Sequence, residues 1–274
     1  MTGDGPRRAA VLGSPVAHSK SPALHRAAYA ALGLTGWTYE AIDTTAEQLP
    51  GRVRAAGPEW AGFSVTMPGK LAALAVADVR TRRAELVGSA NTLVRTDEGW
   101  RADCTDIDGM AGALRAAGLP AQARRAVLIG AGGTALPTLA ALADAGIGEV
   151  SVVARSAERA RGVLDLAQTL GMTAQFIAFD DDRTLRTACA VTDVTVSTVP
   201  ASAAASLVTS VADTARLVDV IYDPWPTPLA AVVSAAGGTV VGGLVMLLNQ
   251  AYSQVEQFTG LPAPREAMAA ALDL

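Results

Sequence analysis

Polar side chains concentrate in the stretch GSPVAHSKSPALH, residues 13–25. It holds His18 and His25, the only histidines of the chain, and packs Ser14, Ser19, Lys20 and Ser21 around Pro15 and Pro22. Hydroxyl and ammonium groups at this density suit a binding loop better than a core. Three further segments put reactive residue types at the ends of apolar runs. VTMPGK carries Thr66 and then Lys70, a cation near a helix start, where it opposes the helix dipole and adds nothing to local stability. SANTL carries Asn91, and RADCTDIDG carries Asp103, Asp106 and Asp108 just before another helix. Plainer readings stand beside these: Lys70 as a solvated surface residue, Asp106 as a helix cap. The aspartates lack the spacing and the closing glutamate of a calcium loop. His18 and His25 straddle a helix start with no third histidine to join them, which argues against a metal site.

A second chemistry lies in GAGGTALP, residues 130–137, between the apolar run AVLIG and the helical stretch TLAALADAG. This is a Gly-x-Gly-x-x-Gly pattern with Ala135 in the third place. Gly130 permits the turn, Gly132 lets backbone approach a pyrophosphate, and the helix behind Ala131, Gly133 and Thr134 offers free N–H groups to that anion. The next strand, EVSVVAR, ends in Ala154, Arg155 and Ser156, with Arg159 following and no carboxylate at the tip. A dinucleotide without a 2′-phosphate usually finds an acid there, whereas a guanidinium pairs with the phosphate. The expected cofactor is therefore NADP(H).

The elements that must position these groups show as a regular beat. The runs RAVLIGAG, EVSVVAR, TAQFIAF, VTVSTVP, RLVDVIY and TVVGG start near residues 125, 149, 173, 194, 216 and 239. Each is followed by an alanine-rich stretch long enough for a helix, so the step is one βα unit and the product an open, mostly parallel sheet wound on both sides. Residues 1–105 read as a mixed α/β domain instead. Strands are expected at RAAVLG, WTYEAID, AGFSVTM, ANTLVRT and GWRAD, the last two forming a hairpin about DEG. A helix is expected to start at Ser21–Pro22, with the serine as its cap and the proline first inside. A helical segment beyond Gly243 ends the chain.

Composition bounds the function. Twenty-two basic and 26 acidic residues leave a net charge of −4, against a nucleic-acid or anionic-membrane partner, although a few local cations suffice for a small anion. Cys104 and Cys189 have no metal-type spacing and read as two free thiols in a reducing cytoplasm. The start MTGDGPRRAAVLG has too short an apolar run for a secretion signal. No charge occurs from Pro224 to Val255, but the glycines, prolines and amides of that window suit a strand between two helices rather than a bilayer span.

GSPVAHSKSPALH, VTMPGK, SANTL, CTDIDG, GAGGTA, VIYDPWPTPL and GGLVMLLNQA resemble, in that order, the motifs of shikimate dehydrogenases, from about residue 8 to the carboxyl terminus. The resemblance implies reversible NADPH-dependent reduction of 3-dehydroshikimate to shikimate, within aromatic amino acid biosynthesis. It implies an α/β fold with a substrate domain, residues 1–105 joined by the returning helices of 244–274, and a Rossmann-like NADP domain, residues 106–243, with a cleft between them. Lys70 and Asp106 are the implied catalytic pair. Ser19 and Ser21 would donate to the substrate carboxylate, at roughly 1.5–3 kcal/mol for each such bond, with His18 and His25 shaping that loop. Thr66, Asn91, Asp106 and Gln250 would read the ring hydroxyls, and Tyr222 would lie near the carboxylate. Val220, Gly243 and Met246 would lie near the nicotinamide. The chain departs from the family's usual Asn-Thr-Asp at Cys104-Thr105-Asp106, and has Ala154 where asparagine is usual; Arg82, where an acid is common, takes no role. An NAD-dependent quinate/shikimate dehydrogenase and a non-catalytic sensor of the same acid are the rival readings. A small-molecule substrate is the expected partner, and the oligomeric state stays open between monomer and homodimer.

Overall fold

The computed structural model describes residues 7–274, so the first six residues of MTGDGPRRAAVLG lie outside the described residues. The chain divides into two compact units, Met1–Thr105 with Leu247–Leu274, and Asp106–Met246.

In chain order the first unit contains β1 (Arg8–Gly13), α1 (Ser21–Ala31), β2 (Thr38–Asp43), α2 (Leu49–Ala55), β3 (Trp60–Val65), α3 (Lys70–Val76), β4 (Val79–Arg80), α4 (Arg82–Val87), β5 (Thr92–Thr96) and β6 (Gly99–Asp103). The sheet order is β2-β1-β3-β5-β6-β4. β2, β1 and β3 run parallel, β5 runs against β3, and β6 runs against β5 as the expected hairpin. That sequence of directions decides where the site forms. The carboxyl ends of β1 and β3, the amino end of β5 and the carboxyl end of β6 all fall on one edge. Every residue of β3 is buried, and Leu12, Phe63, Leu93 and Trp100 pack into one core with Leu49 of α2. β4, two residues long, was not expected; too short to show a period, it joins β6 through the Thr81 N–H to the Ala102 carbonyl at 3.0 Å.

The second unit opens with α5 (Asp106–Ala116). β7 (Arg125–Ile129), α6 (Ala135–Asp144), β8 (Glu149–Ala154), α7 (Ala157–Thr169), β9 (Thr173–Ala178), α8 (Asp182–Val191) and β10 (Val194–Ser197) follow. After them come α9 (Ala201–Ala204), α10 (Val208–Val211), β11 (Arg216–Asp219), α11 (Pro228–Ala235) and β12 (Thr239–Val241). The sheet, β12-β11-β10-β7-β8-β9, is parallel throughout. Its order reverses at β7, the position where doubly wound sheets bind dinucleotides. The strands start where the periodic runs put them. The helix expected after β10 is instead broken into α9, a 3-10 turn and α10. Its serines and threonines compete for backbone groups, as the Ser206 hydroxyl does by donating to the Ala203 carbonyl. α12 (Gly243–Thr259) and α13 (Arg265–Ala270) end the chain. No helix among the described residues is long and apolar enough to cross a membrane.

Candidate active site

The shared sheet edge of the first unit gathers most of the expected substrate residues. The Thr66 N–H donates to the Leu12 carbonyl and the Ser14 N–H to that of Met67, which ties the VTMPGK turn to the end of β1. The turn closes through the Gly69 N–H to the Thr66 carbonyl, and Lys70 is the first residue of α3, half-buried. Its carbonyl accepts from the Ala90 N–H, and the Asn91 N–H donates to the Asp103 carbonyl. Thr66, Lys70 and Asn91, distant in sequence, are thereby strung along one backbone seam.

Asn91 is the hub of a buried polar cluster. Its Oδ1 accepts from the Thr105 N–H at 2.7 Å, and its Nδ2 donates to Gln250 Oε1 at 2.7 Å and to Thr105 Oγ1 at 3.0 Å. Gln250 belongs to α12, and two more glutamines follow on the same face of that helix. Gln254 Nε2 donates to the Asn91 carbonyl and to Thr92 Oγ1, while its Oε1 meets His25 Nε2 at 3.3 Å. Gln257 Nε2 donates to Asp103 Oδ2 at 2.7 Å. Sequence reasoning missed Gln254 and Gln257. The available signal was their recurrence with Gln250 at helical spacing in an almost uncharged window.

Two expectations about the first loop are corrected. Ser21 is not the cap of α1: the helix begins one residue earlier, with Lys20 as its cap in an α conformation and no side-chain capping bond. The Lys20 carbonyl takes the first helical hydrogen bonds, from Ala23 and Leu24, and Ser19 Oγ accepts from the Ser21 N–H. Nor does His25 shape the loop. It lies inside α1, fully buried, and stacks on Tyr39 at 4.0 Å between ring centres. Burial brings its pKa down to about 3, against the smaller upward pull of Gln254, so the ring is neutral. The Tyr39 hydroxyl is hydrogen-bonded to Ser64 and Ser21, and burial pushes its pKa up. Ser21 is therefore anchored from behind by a neutral phenol, whereas His18 is exposed.

The aspartates of CTDIDG and its flank separate into two kinds. Asp103 ends β6 and is held by Arg83, by Thr81 Oγ1 at 2.7 Å and by Gln257. Asp106 and Asp108 lie inside the first turn of α5 rather than ahead of it, and Asp106 is buried. Carboxylates there complement the positive end of the helix. Cys104 and Cys189 are buried, and neither is in a disulfide.

In the second unit the glycine loop follows β7. Gly130 has φ +114, and a side chain there would press on Val199 and Thr198. Gly132 and Gly133 are exposed, with open space where a Cβ would stand, and Thr134 makes no side-chain cap on α6, which begins at Ala135. Ala131 and Thr134 are half-exposed beside them. This is a bare, glycine-lined helix start able to take a pyrophosphate. At the tip of β8, Ala154 is buried while Arg155, Ser156 and Arg159 are exposed, and Ser156 Oγ caps α7 by accepting the Arg159 N–H at 3.3 Å. The donor set fits a 2′-phosphorylated dinucleotide. Beyond β11, a Cβ on Gly243 would strike the Val220 carbonyl, so only glycine lets α12 start there. Met246 is buried and Tyr222 half-buried. Asp219 steadies this loop, accepting from Thr227 Oγ1 at 2.6 Å and the Ile221 N–H at 3.2 Å. Gly243 opens α12, so the helix starts at that glycine rather than beyond it.

A glycine-loop parallel sheet in one unit and an amide-and-hydroxyl cluster in the other define a dinucleotide-type oxidoreductase. Residues 11–93 match the family model described as the shikimate dehydrogenase substrate binding domain, and residues 243–272 that of the shikimate 5'-dehydrogenase C-terminal domain. The shikimate dehydrogenase (NADP(+)) of Methanopyrus kandleri is 36% identical over 94% of this chain and 92% of its own length. The crystal structure of Mycobacterium tuberculosis shikimate dehydrogenase matches with a TM-score of 0.93 and 57% identity over 98% of this chain and 99% of that one. That of the Thermus thermophilus shikimate 5-dehydrogenase in complex with NADP(H) and shikimate matches with a TM-score of 0.81 and 33% identity, over 97% and 98%. The chain belongs to the shikimate dehydrogenase family.

Proposed function

We infer that the chain interconverts 3-dehydroshikimate and shikimate with NADP(H), as a step of aromatic amino acid biosynthesis. The observation that carries this reading is the 2.7 Å hydrogen bond between Asn91 and Gln250. It joins the two sequence segments that match the two family models, in a buried cluster of groups that recognise hydroxyls.

NADPH, when bound, supplies the hydride that reduces the ketone. The protein's part is to bind, orient and move a proton. Ser19 and Ser21 donate to the carboxylate of the substrate, and Thr66, Asn91 and Gln250 take its ring hydroxyls. Lys70 donates a proton to the nascent alkoxide oxygen and takes it back in the reverse direction. Asp106, in the first turn of α5, is the second member of the catalytic pair and takes a substrate hydroxyl. Gly130, Gly132 and Gly133 admit the pyrophosphate, Arg155 and Arg159 the 2′-phosphate, and Val220, Gly243 and Met246 border the nicotinamide. Tyr222, half-buried beyond β11, is a further candidate for the carboxylate. Two buried cysteines outside any disulfide favour a reducing cytoplasmic location.

The test is initial rates on purified protein with 3-dehydroshikimate and NADPH, and with shikimate or quinate and either oxidised cofactor. NADPH loss on adding 3-dehydroshikimate is the expected result. Faster quinate oxidation with NAD would replace the reading, and binding of shikimate without turnover would make the protein a sensor.

A further inference from the structure

Two backbone groups with only one possible polarity fix the direction of every amide in the cluster around Asn91. The Thr105 N–H can only donate, and it lies 2.7 Å from Asn91 Oδ1. The Asn91 amide nitrogen therefore faces the other way, toward Thr105 Oγ1 and Gln250. The atom of Gln250 that meets it must be the carbonyl oxygen. The amide nitrogen of Gln250 is left turned away from Asn91, half-buried and without a partner among the described residues.

The Asn91 carbonyl can only accept. It takes the Val65 N–H at 2.7 Å and Gln254 Nε2 at 3.4 Å. Gln254 Oε1 then faces His25, which must carry its proton on Nε2 to meet it. The other ring nitrogen, Nδ1, is buried without a partner, as a bare nitrogen of a neutral ring. The titratable groups facing that ring are Tyr29 and Tyr39, both uncharged phenols pushed upward by burial. Gln254 follows Gln250 by one helical turn on the same face of α12. A clamp at Gln254 therefore sets the rotation and height of the helix where Gln250 meets Asn91.

We propose that Gln254 is a positioning residue: gripped by His25 and bonded to Asn91 and Thr92, it holds Gln250 so that an amide N–H, and not the carbonyl, meets the substrate. The proposal rests on the functional reading above. It makes Gln250 a selector for an oxygen that accepts a hydrogen bond.

The experiment is a double-mutant cycle with Gln254→Met and Gln250→Met, measuring KM and kcat for shikimate and, separately, NADPH binding by fluorescence. Gln254→Met is expected to raise KM about tenfold, the scale of one lost hydrogen bond, with kcat and NADPH binding near wild type. In the Gln250→Met background the same change should add less than about twofold, because its effect runs through Gln250. Gln250→Glu keeps an acceptor toward Asn91 but turns an acceptor outward, and is expected to raise KM more than Gln250→Met does. Equal factors in both backgrounds, or a wild-type KM for Gln250→Glu, would overturn the proposal. Nitrogen NMR of the His25 ring in the unmodified protein needs neither activity nor a variant that folds: protonation on Nε2 supports the wiring, and protonation on Nδ1 overturns it. A wild type inactive on 3-dehydroshikimate would sink the functional reading, while the ring tautomer of that same protein still decides the wiring.

Discussion

Arg83 grips the Asp103 carboxylate with both arms of its guanidinium, Nε at 2.7 Å and Nη2 at 2.6 Å, at the end of β6. The carboxylate is almost wholly buried, and Thr81 and Gln257 complete its shell. Burial alone would raise its pKa, but the Arg83 hydrogen bonds and charge, with Thr81 and Gln257, bring it down from 3.8 to about 2. The folded value lies below the unfolded one, so this stabilisation is complete above about pH 4 and drains away as pH falls toward 2. It amounts to about 2 kcal/mol. Arg83→Met should lower stability to urea by about 3 kcal/mol at neutral pH, because a buried carboxylate loses its partner. The gap between variant and wild type should narrow in acid. A constant gap across that range would exclude the pair as its source.

His25 acts with the opposite chemistry and the same direction in pH. Its folded pKa, about 3, lies below the ordinary 6.5 because burial penalises the cation. The unfolded chain takes up a proton that the folded chain refuses, so stability falls as pH drops from about 6.5 toward 3. The slope from this one group is about 1.4 kcal/mol per pH unit. His25→Phe keeps a ring on Tyr39 and removes the titration. Unfolding free energies measured at several pH values should show a shallower acid slope in the variant by that amount, whatever its absolute stability.

The nucleotide-type unit was legible because its signal is local: each buried parallel strand is a short apolar run, and the period of the βα unit repeats it. The first unit yielded its longer strands for the same reason, and withheld β4, where Val79 and Arg80 offer no period. Ser21 was misread by one position because proline tolerates either of the first two helical places. The buried cluster was legible only in part. Asn91 and Gln250 stand in recognisable motifs, but Gln254 and Gln257 look like a solvated helix face until partners from distant sequence are brought to them. His25 likewise sat within a polar stretch, and only the fold turns it inward, against Tyr39 and Gln254.

Lys70 is the residue whose loss should separate chemistry from binding. It opens α3 immediately behind the Thr66–Gly69 turn, while the glycine loop belongs to the other unit. Lys70→Ala should lower turnover of 3-dehydroshikimate by ~10²–10⁴, the usual contribution of a positioned acid–base group. NADPH binding, followed by fluorescence, should stay at its wild-type value. Wild-type turnover in this variant would remove Lys70 from the mechanism.

Cofactor choice should turn on Arg155. Ala154 ends β8 in register with Ala178, so the next side chain leaves the sheet at its carboxyl edge, and Arg155 is exposed there. Ser156 Oγ is already engaged in accepting the Arg159 N–H, which leaves its hydroxyl hydrogen but not its oxygen for a ligand. The tip of β8 itself carries arginines and no acid, while Asp180, Asp181 and Asp182 follow the end of the neighbouring β9. Arg155→Asp replaces a charge-assisted hydrogen bond with repulsion, and should lower kcat/KM for NADPH by about 10²-fold. The value for NADH should hold or rise, since an acid at this place suits a free ribose hydroxyl. Ser156→Ala is the control: it removes a helix cap, costs about 1 kcal/mol in stability, and should change the two cofactors in parallel. An Arg155→Asp variant that kept its preference for NADPH would move the phosphate away from this strand tip.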